Sequence, residues 1–366
     1  MRPPQLLPAS LGALLLAACQ PSQPVDEPIQ PFVFRSLELR QKDRQGRPLW
    51  EISSPEARYD LSRKLAHARE LRGTIYAEGR PLYRVSASRG VVLNDGQVVL
   101  LEGPTAVRRL GKDPVLIEAR RLRWYPQRGT MELDRQPLAR QGSLAISAGR
   151  AQFDFNRDRL LLRDSPVLVH HGQVPLRLDL SQVTWWAGSG AIEAQGPVRG
   201  ERRGSGGERQ QLSSPSLRGN SLNRELILAA PVRVSDAARR TRLTAAATRV
   251  DLQTNRISSA QPFSASYGSL NISGASFALL PDSTTLEIPR GCRLNRAGEA
   301  LEAHLCRWNW RSNQVQARGE VRVQRQAQQL TTRAAALDGR ISSDGVVVFS
   351  RPGGTVQTQL RLAAPR

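Results

Sequence analysis

From about residue 50 to its end the chain repeats itself, and that repeat dictates an all-β fold. Each copy carries an alternating strand, an aromatic or aliphatic anchor often followed by Asp or Asn, then a second strand and a turn. The anchors are Tyr59-Asp60, Val92-Leu93-Asn94, Trp124-Tyr125, Phe153-Asp154, Trp185, Leu217, Val250-Asp251, Phe277, Trp308-Asn309 and Leu337-Asp338, spaced 27 to 33 residues apart in ten copies. Leu176-Arg177-Leu178-Asp179-Leu180 shows the alternation, with its leucines on one face and its charges on the other. Turn formers such as Asn94-Asp95-Gly96, Asn156-Arg157-Asp158 and Ser343-Asp344-Gly345 separate the strands. Each copy reads as two or three short antiparallel strands. One such unit cannot bury its apolar face alone, so the copies stack into an elongated body with a continuous inner face.

Ahead of the repeats lies a different kind of segment. Leu6 to Ala18 is apolar, Arg2 is its one preceding positive charge, and Leu16-Ala17-Ala18-Cys19 closes it. This is the layout of a secretory signal ending in a lipobox, with Cys19 as the lipidated residue. The run is too short to cross about 30 Å of hydrocarbon as a helix. Residues 1–18 are therefore read as the signal peptide. Residues 19–31, with Pro21, Pro24, Pro28 and Pro31, are read as an extended tether. Residues 32–200 form a first β half, the Gly-rich stretch 201–211 a flexible loop, and 212–366 a second half. The loop is either a domain boundary or a long turn in one continuous fold.

The formal charge of +21 rests almost wholly on arginine, since Lys42, Lys64 and Lys112 are the only lysines. Such a surface favours acidic partners. A secretory signal argues against nucleic acid among them, leaving phosphorylated lipids or an anionic membrane surface. With Cys19 taken by the anchor, Cys292 and Cys306 form an isolated pair, a disulfide by default in an oxidising compartment. A hairpin at Arg296-Ala297-Gly298-Glu299 brings them roughly opposite each other. A metal site using His304 with the two cysteines is the alternative, and it lacks an evident fourth ligand.

Catalytic motifs are missing from the sequence: there is no GxSxG elbow, HExxH, P-loop or Rossmann glycine pattern. The histidines are His67, His170, His171 and His304; adjacent strand residues face opposite ways, so His170 and His171 do not readily share a metal. Carboxylates such as Asp158, Asp164 and Asp344 fall in turns. The chain is read as a non-enzyme without a cofactor.

Phe34 to Leu39, Asp43-Arg44-Gln45-Gly46 and the run Leu49-Trp50-Glu51-Ile52-Ser53-Ser54-Pro55-Glu56-Ala57-Arg58-Tyr59-Asp60 resemble the opening of the LptC lipopolysaccharide-export family. They also resemble the wider OstA-like group that includes the bridge protein LptA. The stretch Gly291 to Trp310 looks like the longer LptC-like proteins of cyanobacteria. The lipobox is a departure, since many members carry a transmembrane helix there. The resemblance implies a twisted antiparallel β-jellyroll whose apolar groove holds lipopolysaccharide acyl chains. It implies a periplasmic protein, anchored more readily at the inner than the outer membrane, that accepts lipid from an inner-membrane ABC transporter and passes it to an LptA-like bridge. On this reading Leu144, Ile146, Phe153, Phe155, Leu176, Leu178 and Leu180 line the groove, while Arg120, Arg121 and Arg123 sit at its rim. The competing class is a structural or adhesive β-repeat lipoprotein that carries no lipid. An open apolar interior separates the first from the second, whose interior its own side chains fill.

Overall fold

The computed structural model describes residues 32–172, 176–203, 209–327, 329–342, 345–349 and 356–360. The signal peptide, Cys19 and the tether lie outside the described residues. Among those described there are 36 strands, all paired antiparallel in one continuous hydrogen-bonded sheet, and no α-helix. The alternation read from the sequence is the cause: inward residues such as Leu160 and Leu162 are buried, while Arg163 beside them is exposed.

The sheet is folded lengthwise into two wings. Successive hairpins alternate between them, so in the central part each strand pairs with one neighbour in sequence and with the strand three positions away. In one wing Leu144–Ser147 pairs with Val167–His170, and Leu176–Asp179 with Val198–Arg203. In the other Arg159–Arg163 pairs with Gln182–Trp186, and Ala191–Gln195 with Leu217–Asn220. Each central repeat therefore holds four short strands, two per wing, rather than two or three. Near the ends, long strands such as Leu65–Ala77, Arg80–Leu93 and Gln314–Arg325 run through both wings.

Two local devices build this shape. At the corners between wings, residues in the left-handed region break the strand: Gly103 (φ +86°), Arg135 and Gln136 (φ +60° and +62°), and Gly196 (φ +83°). A proline follows each of them, and Pro104, Pro137, Pro166, Pro197, Pro231 and Pro262 recur 29 to 34 residues apart. At the tips of the second wing, the Asp or Asn after an anchor accepts backbone N–H bonds from the turn. Asn220 Oδ1 accepts from Leu222 and Asn223 (2.9 and 3.0 Å), Asp251 Oδ1 from Gln253 and Thr254 (both 2.9 Å), and Asn309 Oδ1 from Arg311 and Ser312 (3.0 and 2.9 Å). The repeated carboxylates and amides are turn builders.

The stretch 201–211 departs from the expected loop. Val198–Arg203 and Arg209–Ser214 pair with each other and continue the ladder on both sides; residues 204–208 lie outside the described residues. The apolar interior divides elsewhere. One buried cluster runs from Trp50 to Val232, and a second from Leu243 to Leu337.

The cysteine pair also differs in its route. Cys292 lies opposite Ala303 in its hairpin, and Cys306 lies past the corner at His304, in the other wing, opposite Ile288. The disulfide, with a Cα–Cα separation of 5.8 Å, thus joins the two wings and does not cross-link one hairpin. Unreduced, denatured protein from an oxidising compartment should show no thiol at Cys292 or Cys306. Two titratable thiols would contradict the bridge.

At the amino-terminal end two short strands, Phe32–Phe34 and Leu37–Lys42, lie one on each wing. At the other end Gly345–Phe349 and Val356–Leu360 each pair with Leu330–Ser342.

Candidate functional site, a cleft between the wings

The interior is filled for most of its length. Phe153 is fully buried and makes edge-to-face contacts with Tyr83 and Phe155, at centroid distances of 5.2 and 4.7 Å. Trp50 packs on Trp124 at 5.8 Å, and Phe263 on Phe277 at 4.9 Å.

Between the two buried clusters the wings part. A cleft of about 540 Å³ opens there, within the ordinary range for small-molecule sites. Leu176, Leu178, Leu212 and Val234 line it from one wing, and Leu226, Leu228, Val250, Leu252 and Ile257 from the other. Its lip carries His170, His171 and Gly172 on one side and Arg224 and the 252–255 turn on the other.

Small residues at inward positions leave this space. A cross-strand row in the second wing runs Trp124, Met131, Phe153, Leu160, Trp185 and Ile192, and its next member is Gly219. In the facing wing Gly200 lies between Leu178 and Leu212 in register. A side chain there would enter the cleft, since a Cβ would stand 2.7 Å from Leu178 Cδ2.

Side-chain contacts shut the mouth on both sides of the opening. On the amino-terminal side the Tyr83 hydroxyl donates to Asp158, and Arg109 Nε donates to Asp158 Oδ2 at 3.2 Å. Nearer the cleft, Ser221 Oγ donates to Gln141 Oε1, and Gln141 Nε2 donates to the Asp113 carbonyl at 2.9 Å. On the other side Tyr267 and Trp308 meet edge to face at 5.1 Å.

Burial pushes the Asp158 carboxyl up from 3.8 to about 6, although an N–H from Gly188 and the Arg109 guanidinium at 3.2 Å work in the opposite direction. A raised folded value means the native state keeps a proton that the unfolded chain has released. The stabilisation from this group is full below the unfolded value of 3.8 and is lost as pH rises through about 6. Urea unfolding of the protein and of Asp158→Asn between pH 4 and pH 7 should show a pH-dependent difference of about 1–3 kcal/mol confined to that window. Parallel stability curves would contradict this.

Of the seven residues expected in the groove, Leu176 and Leu178 line the cleft. Leu144, Ile146, Phe153, Phe155 and Leu180 are buried in the filled part of the interior. Arg121 and Arg123 face outward, Arg123 pairing with Glu132 at 3.2 Å, and Arg120 borders a shallow outer groove. None of the three borders the cleft. The nitrogen-bearing side chains that do are His170, His171 and Arg224, which sequence reasoning weighs only as metal ligands or passes over; burial, with His171 and Arg224 nearby, disfavours a charge on His170. Among the described residues no three His, Cys, Asp or Glu side chains are placed to hold a metal ion.

Residues 7–165 match the family described as lipopolysaccharide-assembly, LptC-related. The likeness to that family is confined to this amino-terminal part of the chain. The matched span covers the amino-terminal long strands, the rings of Trp50, Tyr83, Trp124, Phe153 and Phe155, and Asp158, and it ends before His170, His171 and Arg224. A comparison of folds finds LptH from Pseudomonas aeruginosa, the LptA-homologous periplasmic component of the conserved lipopolysaccharide transport device. It is 15% identical, with 34% of this chain and 87% of that chain covered and a TM-score of 0.28. No curated protein matches the sequence. No helix among the described residues is long and apolar enough to cross a membrane.

Proposed function

We propose that this chain is a non-enzymatic periplasmic component of lipopolysaccharide export, and that the cleft between the wings holds lipid acyl chain. The supporting observation is the apolar cleft itself, on a body whose amino-terminal part resembles the LptC-related family. Each buried CH₂ contributes about 0.8 kcal/mol, so an acyl segment in a cleft of this size is held without any polar contact. The filled interior on either side makes the cleft a holding site rather than a length of open trough. Passage of lipid along the body then proceeds by parting the wings at the mouth contacts.

Among the described residues the end strands Phe32–Phe34, Leu37–Lys42, Gly345–Phe349 and Val356–Leu360 are each paired on one side, an arrangement that suits strand addition by partners. An inner-membrane ABC transporter at one end and an LptA-like bridge at the other complete the proposal. Cys19 supplies membrane attachment through a lipid, more readily at the inner membrane.

The filled aromatic segments favour a second reading, a structural or adhesive β-repeat lipoprotein. Native mass spectrometry of protein purified from its membrane fraction decides between them. Co-purifying acylated lipid, lost on filling the cleft, supports the export reading. Lipid-free protein that stays lipid-free when incubated with lipopolysaccharide supports the structural one.

A further inference from the structure

Exposed apolar side chains are concentrated at the amino-terminal end of the body. Among the described residues eight large ones are exposed, and five of them, Phe32, Val33, Phe34, Leu49 and Leu61, fall between residues 32 and 61. Phe32 and Phe34 lie opposite Tyr59 and Ala57 in register, on the inner face, and Phe34 meets the Tyr59 ring edge to face at 6.5 Å. They stay 55% and 45% exposed because no further described strand of either wing covers them. Val33 alternates to the other face and is exposed, as is Leu61 in the turn that follows Tyr59 and Asp60.

A concentration of this kind marks a surface that something covers, and its place in the chain says what. Twelve residues separate Cys19 from Phe32, at most about 45 Å of fully extended chain. A lipid on Cys19 therefore keeps this end near the bilayer surface, at a high local concentration with respect to it. The surrounding charge fits as well. Residues 32–64 carry eight Lys and Arg against five Asp and Glu. Four of the five carboxylates stand beside an arginine, at 2.7 to 3.9 Å. Arg35, Lys42, Arg44 and Lys64 have no carboxylate partner among the described residues. Exposed rings flanked by such cations suit the headgroup level of an anionic bilayer, where rings reach the acyl boundary and cations meet phosphates.

We propose that Phe32, Phe34 and Leu61 dip into the headgroup level of the membrane that holds the anchor, so that the amino-terminal end of the body rests on the bilayer. The contact rests on the reading of Cys19 as the lipidated residue. Phe32–Phe34 is paired on one side only, to Glu56–Asp60. At the headgroup level water still reaches its other edge, so the backbone donors and acceptors there are satisfied without a partner strand. Seated this way, the uncovered inner face at this end is turned toward the lipid pool.

The test uses the exported, lipidated protein in vesicles of phosphatidylethanolamine and phosphatidylglycerol. With Cys19 acylated and Cys292 bonded to Cys306, a new cysteine is the one free thiol and takes a nitroxide label. Labels are placed singly through Phe34→Cys, Leu61→Cys and Leu305→Cys, the last at an exposed leucine in the carboxy-terminal part of the body. Power saturation compares access to oxygen, which concentrates in the bilayer, with access to a water-soluble nickel chelate. The oxygen-to-nickel ratio should be at least about threefold higher at 34 and 61 than at 305, as expected of side chains at the acyl boundary. Phe32→Ser with Phe34→Ser should bring the ratio at 61 down to that at 305 while the protein still floats with the vesicles. Equal ratios at all three positions in floating protein overturn the contact and leave the anchor standing. Low access to both oxygen and nickel at 34 also overturns it, and assigns the cluster to a protein partner. Protein that fails to float overturns the anchor, and the contact with it.

Discussion

Truncating Phe153 to alanine is expected to cost about 3–5 kcal/mol of stability, the usual toll for deleting a buried aromatic ring. Phe153 has no exposed surface and is wedged between Tyr83 and Phe155, with Met131 and Leu160 beside it in register. Its neighbours belong to paired strands, so they have little freedom to collapse into the void. The same three rings lie next to the Tyr83 and Arg109 contacts to Asp158, which should loosen with them. Urea unfolding reads the effect directly. A loss below about 1 kcal/mol would mean the interior here is already open or readily refilled, contrary to a packed core.

Replacing Gly200 by leucine should have the opposite character, a large functional loss with little change in stability. Gly200 sits at an inward position of Val198–Arg203 and its backbone is not in the left-handed region, so a side chain needs no backbone change, although Leu178 Cδ2, 2.7 Å from the new Cβ, has to move aside. The new side chain meets Leu178 and Leu212 and takes up part of the 540 Å³ cleft. Both neighbours present flexible side chains, and glycine in a strand is itself unfavourable relative to a larger residue. Lipid capture should fall at least tenfold, about the effect of leaving two buried CH₂ groups without room, while the melting temperature moves by a few degrees at most. Unchanged lipid binding in this variant would place the lipid somewhere other than the cleft.

These two substitutions mark what the sequence makes legible. The all-β body was readable because period-2 alternation and Asp/Asn turn chemistry are local properties. The fourfold strand count per repeat was obscured because corners such as Gly196-Pro197 look like ordinary turns until both wings are in view. The proline spacing was the signal for them. Strand pairing of 201–203 with 209–211 was hidden by a Gly-rich composition; the flanking ladders on either side hold these residues in register. The route of the disulfide is not legible locally, because residues 292 and 306 flank a hairpin in sequence, whereas the corner at His304 carries Cys306 into the other wing.

The site was harder to locate. Alternation reports that Leu144, Phe153 and Leu178 face inward, but not what they face. Filling depends on side-chain volume across two wings that are distant in sequence. One clue was available: no Phe, Tyr or Trp occurs between Trp186 and Phe263. The cleft opens within that interval, where leucine, valine and the inward glycines at 200 and 219 leave room that rings occupy elsewhere.

The most direct test of the cleft assignment is a photo-crosslinking scan of the full chain in cells that make lipopolysaccharide. A photoreactive residue at Leu212 or Leu252, both partly exposed in the cleft wall, should capture lipopolysaccharide. One at outward Arg177, or at Phe153 in the filled core, should not. Capture at Phe153 equal to that at Leu212, or capture from the outward position, would contradict a lipid site confined to the space between the wings.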